Sequence, residues 1–185
     1  MTTNLTHLDQ ISKYLSYILR HEPHAIGLQL DTEGWANIDD LIECANKHGH
    51  ALDKATVHAV VVTNSKKRFT ISDDNQRIRA VQGHSTPIVR RMYTETAPPE
   101  VLYHGTATRF LTPIMEQGLK TGSRHHVHLS LDIPTAVTVG MRHGKPAILE
   151  IQALRMHHQG FKFFLAENGV WLTDFVPPAF LKLIG

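Results

Sequence analysis

Four short stretches of this chain gather side chains suited to phosphates and protons. The first is Arg20-His21, placed where a helix-patterned segment runs into Glu22-Pro23. A guanidinium presents a fork of donors matched to phosphate oxygens, and an imidazole beside it gives or takes a proton near neutral pH. The competing reading of Arg20 is compensation of a helix dipole by a C-terminal cation. The second stretch is Lys66-Lys67-Arg68-Phe69, followed across a polar turn by Arg77-Ile78-Arg79 and then Gln82-Gly83-His84-Ser85. From Lys66 to Arg91 seven basic residues stand against two acids, Asp73 and Asp74, the kind of local stripe that attracts phosphates. Residues two apart on a strand share a face, so Arg77 and Arg79 point together. An ordinary solvated wing is the bland alternative for Arg77 and the lysines.

The third stretch, Tyr103-His104-Gly105-Thr106, reads as the end of a strand. A glycine there lets a ligand lie against the backbone, with His104 and Thr106 supplying hydrogen-bonding groups; a strand-ending turn with a satisfied histidine is the rival. The fourth runs from Ser123 to Ser130. His126 and His128 alternate as zinc ligands on a strand would, but no Cys, Asp or Glu at ligand spacing accompanies them, so no metal is expected. Arg124, just before that strand, is the stronger feature, a fixed cation with several donors. The stretches Val139 to Pro146, with Arg142 between two glycines, and Glu167 to Asp174 offer further polar groups, which plain turn chemistry explains equally well.

These groups need elements to hold them. Leu8, Ile11, Leu15, Ile18 and Leu19 recur at helical spacing, and Pro23 stops that helix near Glu22. Asn37 caps a second helix carrying Leu41, Ile42 and Ala45, closed by Gly49, and Asp53 caps a third carrying Val57, Val60 and Val61. Two β-type runs, 68–72 and 77–81, flank an Asp-Asp-Asn-Gln turn. Three helices and a basic hairpin predict a winged-helix lobe over residues 1–93. A polar, proline-marked stretch at 94–100 reads as a linker. Residues 101–185 change grammar, with short strands at 101–104, 127–130, 147–151, 161–165 and 170–172, one short helix at 111–117 and another opening at Asp132. The expected class is α+β with a mainly antiparallel sheet in the second lobe.

The bulk numbers fit a globular protein of 185 residues that is 42% hydrophobic with a formal charge of +2. No signal peptide or apolar span of membrane length is present in this sequence, which points to a cytoplasmic protein without membrane association. Cys44, the single cysteine, sits in an apolar helical pattern and is assigned no chemistry. No glycine-rich phosphate loop of the Rossmann or P-loop type occurs.

Taken together, Leu19-Arg20-His21, Arg68-Phe69, Arg79 to Ser85, Tyr103 to Thr106, Arg124 to Ser130, Val139 to Gly144 and Asn168 to Pro178 resemble the Tpt1/KptA family of RNA 2′-phosphotransferases in order and approximate spacing. The resemblance runs from about Leu15 to Pro178. It implies a winged-helix RNA lobe followed by an ADP-ribosyltransferase-like lobe that binds NAD as co-substrate, without metal. It also implies a role in RNA repair or tRNA splicing on a tRNA-like RNA carrying an internal 2′-phosphate, with no obligate protein partner.

The implied catalytic set is Arg20, His21, Arg68 and Arg124, with Arg142 the alternative fourth member. His104, Gly105, Thr106, Ser130 and Arg142 are implied to bind NAD. Lys66, Lys67, Arg77, Arg79, Gln82 and His84 are expected to contact RNA. Val81 stands where many relatives have asparagine, and no catalytic glutamate of the diphtheria-toxin type can be matched to Glu167. The implied reaction has two steps through an RNA-phospho-ADP-ribose intermediate, leaving 2′-OH RNA, nicotinamide and ADP-ribose 1″,2″-cyclic phosphate. The first lobe is expected to contribute Arg20, His21 and Arg68 and the second Arg124 and His104, with catalysis between them. Two other readings stay open: an ADP-ribosyltransferase that stops after step one on a terminal phosphate or a protein, and a non-catalytic winged-helix regulator.

Overall fold

The computed structural model describes residues 2–184, which divide between Met92 and Tyr93 into two compact units. The first begins with helix α1 (Thr2–Arg20), whose Ile11, Leu15, Ile18 and Leu19 enter the core. It starts well before the apolar pattern at Leu8. After it come β1 (Ala36–Asn37), α2 (Ile38–Lys47) and α3 (Lys54–Thr63). The Asn37 side chain accepts from the amides of Asp39 at 2.7 Å and Asp40 at 3.2 Å, and Asp53 accepts from that of Thr56 at 2.7 Å. Both predicted N-caps therefore supply acceptors to amides that have no partner within their helix.

Strands β2 (Phe69–Ile71) and β3 (Arg77–Ala80) form the expected hairpin, and β1 adds to its other edge to give the order β1-β3-β2. The register pairs Phe69 with Ala80 and Ile71 with Ile78. These four residues share one face, turned to the core, while Thr70 and Arg79 take the other. Strand β1 was not expected; two residues are too few for a period-2 pattern to show.

The second unit comprises β4 (Leu102–Ala107), α4 (Leu111–Gln117), β5 (Val127–Leu129), α5 (Ile133–Gly140), β6 (Pro146–Ile151), α6 (Ala153–His158), β7 (Phe164–Leu165), β8 (Trp171–Thr173) and β9 (Leu181–Leu183). Its strands form two antiparallel sheets, β4-β6-β9 and β5-β8-β7, linked by a bridge between Tyr103 and Ser130. The whole is a mixed α/β chain with small antiparallel sheets. Leu102, Leu129, Leu149, Ile151, Phe163 and Trp171 form its core. The proline-marked stretch is tied to this unit, with the Thr96 amide donating to Phe163 O at 2.9 Å.

Helix α6 and strand β9 escaped the sequence reading. The first buries only Ala153 and Met156, and the second buries only Leu181, so neither displays a full repeat. Among the described residues no helix is long and apolar enough to cross a membrane.

Candidate active site

In the first unit, Arg20 is the last residue of α1 and only 8% exposed. Its carbonyl, one of those a helix end leaves without an internal partner, accepts from the amides of Ser85 at 2.9 Å and Thr86 at 3.3 Å. The intervening chain turns at Gly83, with φ of +89°, and passes along the Arg20 guanidinium; a Cβ on Gly83 would lie 3.6 Å from Nη1. The same loop holds His21, whose Nδ1 lies 2.8 Å from Ser85 Oγ. Arg68 precedes β2, and its Nη1 donates to Ser12 Oγ of α1 at 3.3 Å while its carbonyl accepts from Val81 N at 2.9 Å. Arg20, His21 and Arg68 are thus all fixed around α1 and the 81–86 segment. Arg91, which sequence reasoning left without a role, braces this segment by donating to the carbonyls of Val81 and Ala80.

The remaining basic residues of this unit fare differently. Arg79 stacks on Trp35, 4.3 Å from the ring centre, with Glu33 at 3.9 Å, and Arg77 lies 5.4 Å from the same ring. They do point together, but Asp73 and Asp74 line the same cavity of about 460 Å³, so that face is not uniformly basic. Lys66 and Lys67 are exposed. Gln82 is half-buried, and its side-chain oxygen has no hydrogen-bond partner among the described residues. His84 is 3% exposed, and its Nε2 would lie 3.0 Å from a Cβ on Gly34.

In the second unit, His104 Nδ1 lies 3.0 Å from His128 O. Burial pushes the His104 pKa below the usual histidine range; the His128 hydrogen bond opposes this, while the His143 and Arg124 charges reinforce it. The ring is therefore neutral near pH 7. A carbonyl only accepts, so the proton sits on Nδ1 and Nε2 is left as an acceptor. Burial first, and then repulsion by Arg142, lower the proton affinity of Arg124, although a guanidinium stays charged at any ordinary pH. Arg124 and Arg142 consequently belong to one electrostatic neighbourhood rather than excluding each other.

Ser130 pairs with Tyr103 through two backbone bonds of 2.9 and 2.8 Å, directly before His104 in β4. Thr106 is buried. His143, brought in by the 3₁₀ turn Met141–His143, was missed, since only its proximity to His104 distinguishes it from the other histidines.

The strand end at Gly105 needs a correction. Strand β4 continues to Ala107, so His104-Gly105-Thr106 lies within a strand rather than at its end. A Cβ on Gly105 would fall 1.7 Å from Ala136 O of α5. The missing side chain makes room for a helix, not for a ligand on that side. His126 lies 3.7 Å from Asp174 and contacts the rings of Tyr93 and Phe164 edge-on. Among the described residues no group of three or more His, Cys, Asp or Glu could hold a metal ion.

A family model described as RNA 2′-phosphotransferase, Tpt1/KptA family, matches residues 6–175. The chain belongs to the Tpt1/KptA family. A protein of Burkholderia lata named probable RNA 2′-phosphotransferase is 64% identical over 173 residues, covering 94% of this chain and 89% of its own. Proteins with the same name from Pseudomonas aeruginosa and Pectobacterium carotovorum are 59% and 56% identical, and each comparison covers at least 95% of both chains. The Tpt1/KptA match includes parts of both units and every candidate site residue named above.

Proposed function

We propose that this chain removes an internal 2′-phosphate from RNA by transferring it to the ribose of NAD. In this reading the first unit is a winged-helix RNA-binding lobe and the second an ADP-ribosyltransferase-like lobe. Domain limits of 1–93 and 101–185 follow, with 94–100 between them. What supports the reading most is the gathering of Arg20, His21 and Arg68 around one helix in a Tpt1/KptA chain.

In the first step a phosphate oxygen of the RNA attacks the anomeric carbon of the NAD ribose, and the bond to nicotinamide breaks. In the second, the adjacent ribose hydroxyl attacks phosphorus and the bond to the RNA 2′-oxygen breaks. The proton lost by the attacking hydroxyl is matched by one gained on the RNA oxygen. Arg20, Arg68 and Arg124 bind the phosphate and offset the charge that builds on it in step two. His21 delivers the proton to the departing oxygen or donates to the phosphate.

The second unit has groups that fit NAD. Neutral His104 offers Nε2 to a ribose hydroxyl, with Thr106 and Ser130 beside it on β4 and after β5. Arg124 and Arg142 repel each other, and an anion such as the NAD diphosphate relieves that repulsion. Lys66, Lys67 and Gln82 contact the RNA near Arg68, whereas Arg77 and Arg79, engaged by Trp35 and Glu33, contribute less. The cytoplasm and tRNA-like RNA remain the proposed setting. The test is incubation with NAD and an RNA bearing one internal 2′-phosphate. Nicotinamide together with ADP-ribose 1″,2″-cyclic phosphate is expected; an ADP-ribosylated product alone would favour a transferase that stops after step one.

A further inference from the structure

We infer that Ser12 and Asn64 are positioning residues that aim the Arg68 guanidinium; the inference rests on the proposed role of Arg68 as a phosphate ligand. Ser12 lies on α1 two turns before Arg20 and is 2% exposed. A buried helical serine commonly turns its hydroxyl back to the preceding turn of its own helix. Here its oxygen also accepts from two side chains outside α1, Asn64 Nδ2 at 2.8 Å and Arg68 Nη1 at 3.3 Å.

Asn64 closes the arrangement from the other side. It ends α3, and its carbonyl accepts from Lys67 N at 2.9 Å while its side-chain oxygen accepts from Arg68 N at 3.3 Å. Lys67 adopts a left-handed conformation, φ +43°, which a non-glycine residue accepts only when its surroundings compensate. The main chain of Arg68 is thus held by Asn64, its guanidinium by Ser12, and Ser12 by Asn64.

The chemistry of the anchor matters. A hydroxyl orients a guanidinium without neutralising it, whereas a carboxylate at the same place would compete with the RNA phosphate for the charge. A reacting group misplaced by about 1 Å can slow a reaction by about a hundredfold. A tie that served only to fasten α1 to the α3–β2 turn would have no need to include the end of the Arg68 side chain.

The experiment is a double-mutant cycle between Ser12→Ala and Arg68→Ala, with Asn64→Ala as a second variant. Enzyme in excess, NAD and 2′-phosphorylated RNA are used to follow the rate at which the RNA-phospho-ADP-ribose intermediate becomes product. Urea unfolding establishes that each variant is folded. Ser12→Ala should slow the second step about tenfold with Arg68 present, the loss typical of a hydrogen bond to a charged group. With Arg68 already removed, it should change the rate less than about twofold. Asn64→Ala should show the same dependence.

Equal losses in both backgrounds, or no loss in folded Ser12→Ala, would overturn the positioning role while leaving the reaction intact. Absence of turnover by the wild-type protein would overturn the reaction itself, and the role of Ser12 with it.

Discussion

Replacing Gly105 by alanine probes the contact on which the second unit's site depends. The new Cβ would lie 1.7 Å from Ala136 O, 2.6 Å from the carbonyl carbon of Ala136 and 2.9 Å from Gly140 N. All three are backbone atoms of α5, so no side chain can rotate away. Restoring even a 3.0 Å separation from Ala136 O requires β4 and α5 to part by at least 1.3 Å. Overpacking of this kind typically costs 1–3 kcal/mol, and a backbone obstruction belongs at or above the upper end, about 3 kcal/mol.

The consequence reaches the chemistry because α5 runs directly into the turn that carries Arg142 and His143. Gly122→Ala is the control. Its Cβ meets nothing within 4 Å, and its φ of +65° alone should cost about 1–2 kcal/mol. Urea unfolding can be followed by tryptophan fluorescence, since Trp171 lies in the second unit and Trp35 in the first. Gly105→Ala should unfold at clearly lower urea than Gly122→Ala and release nicotinamide at least tenfold more slowly than wild type. If the two variants were equally stable, the close approach of α5 to β4 would be wrong.

Arg68→Ala and Arg124→Ala should each lose about 2.7–4 kcal/mol of transition-state stabilisation, roughly a hundred- to a thousandfold in the second step; single-turnover kinetics at wild-type rate would remove either residue from the catalytic set. His104→Ala should raise the NAD concentration needed for turnover while leaving RNA affinity within about twofold, which titrations of each substrate would separate. The folded-state pKa of His104 lies below that of the unfolded chain, near 6.5, so the unfolded chain takes up the proton first. Its contribution to stability is present above about pH 6.5 and is lost as pH falls through the folded pKa; His104→Asn should flatten the pH dependence of unfolding in that window, and an unchanged slope would contradict the assignment. Activity should persist in excess chelator, and its loss with recovery on adding a divalent ion would introduce a metal that the proposed chemistry does not use.

Much of the fold was legible because its signals are local. Asn37, Asp53 and Asp132 each accept from amides of the first helical turn, as a cap residue before an apolar repeat predicts. The β2–β3 hairpin was readable for the same reason, as a polar turn between two alternating runs. What the sequence hid depends on contacts between distant segments. His84 resembles any exposed histidine in the sequence, yet it is 3% exposed and its ring lies against Gly34, fifty residues away. Gly105 resembles a ligand-facing glycine until α5 fills the space beside it. The part of the candidate site built on α1 was anticipated as Arg20 and His21, yet Ser12 gave no sign, because a serine in an amphipathic helix is ordinary until Asn64 and Arg68 arrive from 52 and 56 residues away. Arg124 and Arg142 looked like rivals for one role, and only their mutual repulsion places them in one neighbourhood.

The most direct measurement of the central claim is product analysis of the purified chain with NAD and a short RNA carrying one internal 2′-phosphate. Equimolar nicotinamide, ADP-ribose 1″,2″-cyclic phosphate and RNA with a free 2′-hydroxyl are expected. Folded protein that leaves both NAD and the 2′-phosphate untouched, or that releases inorganic phosphate without consuming NAD, would contradict it.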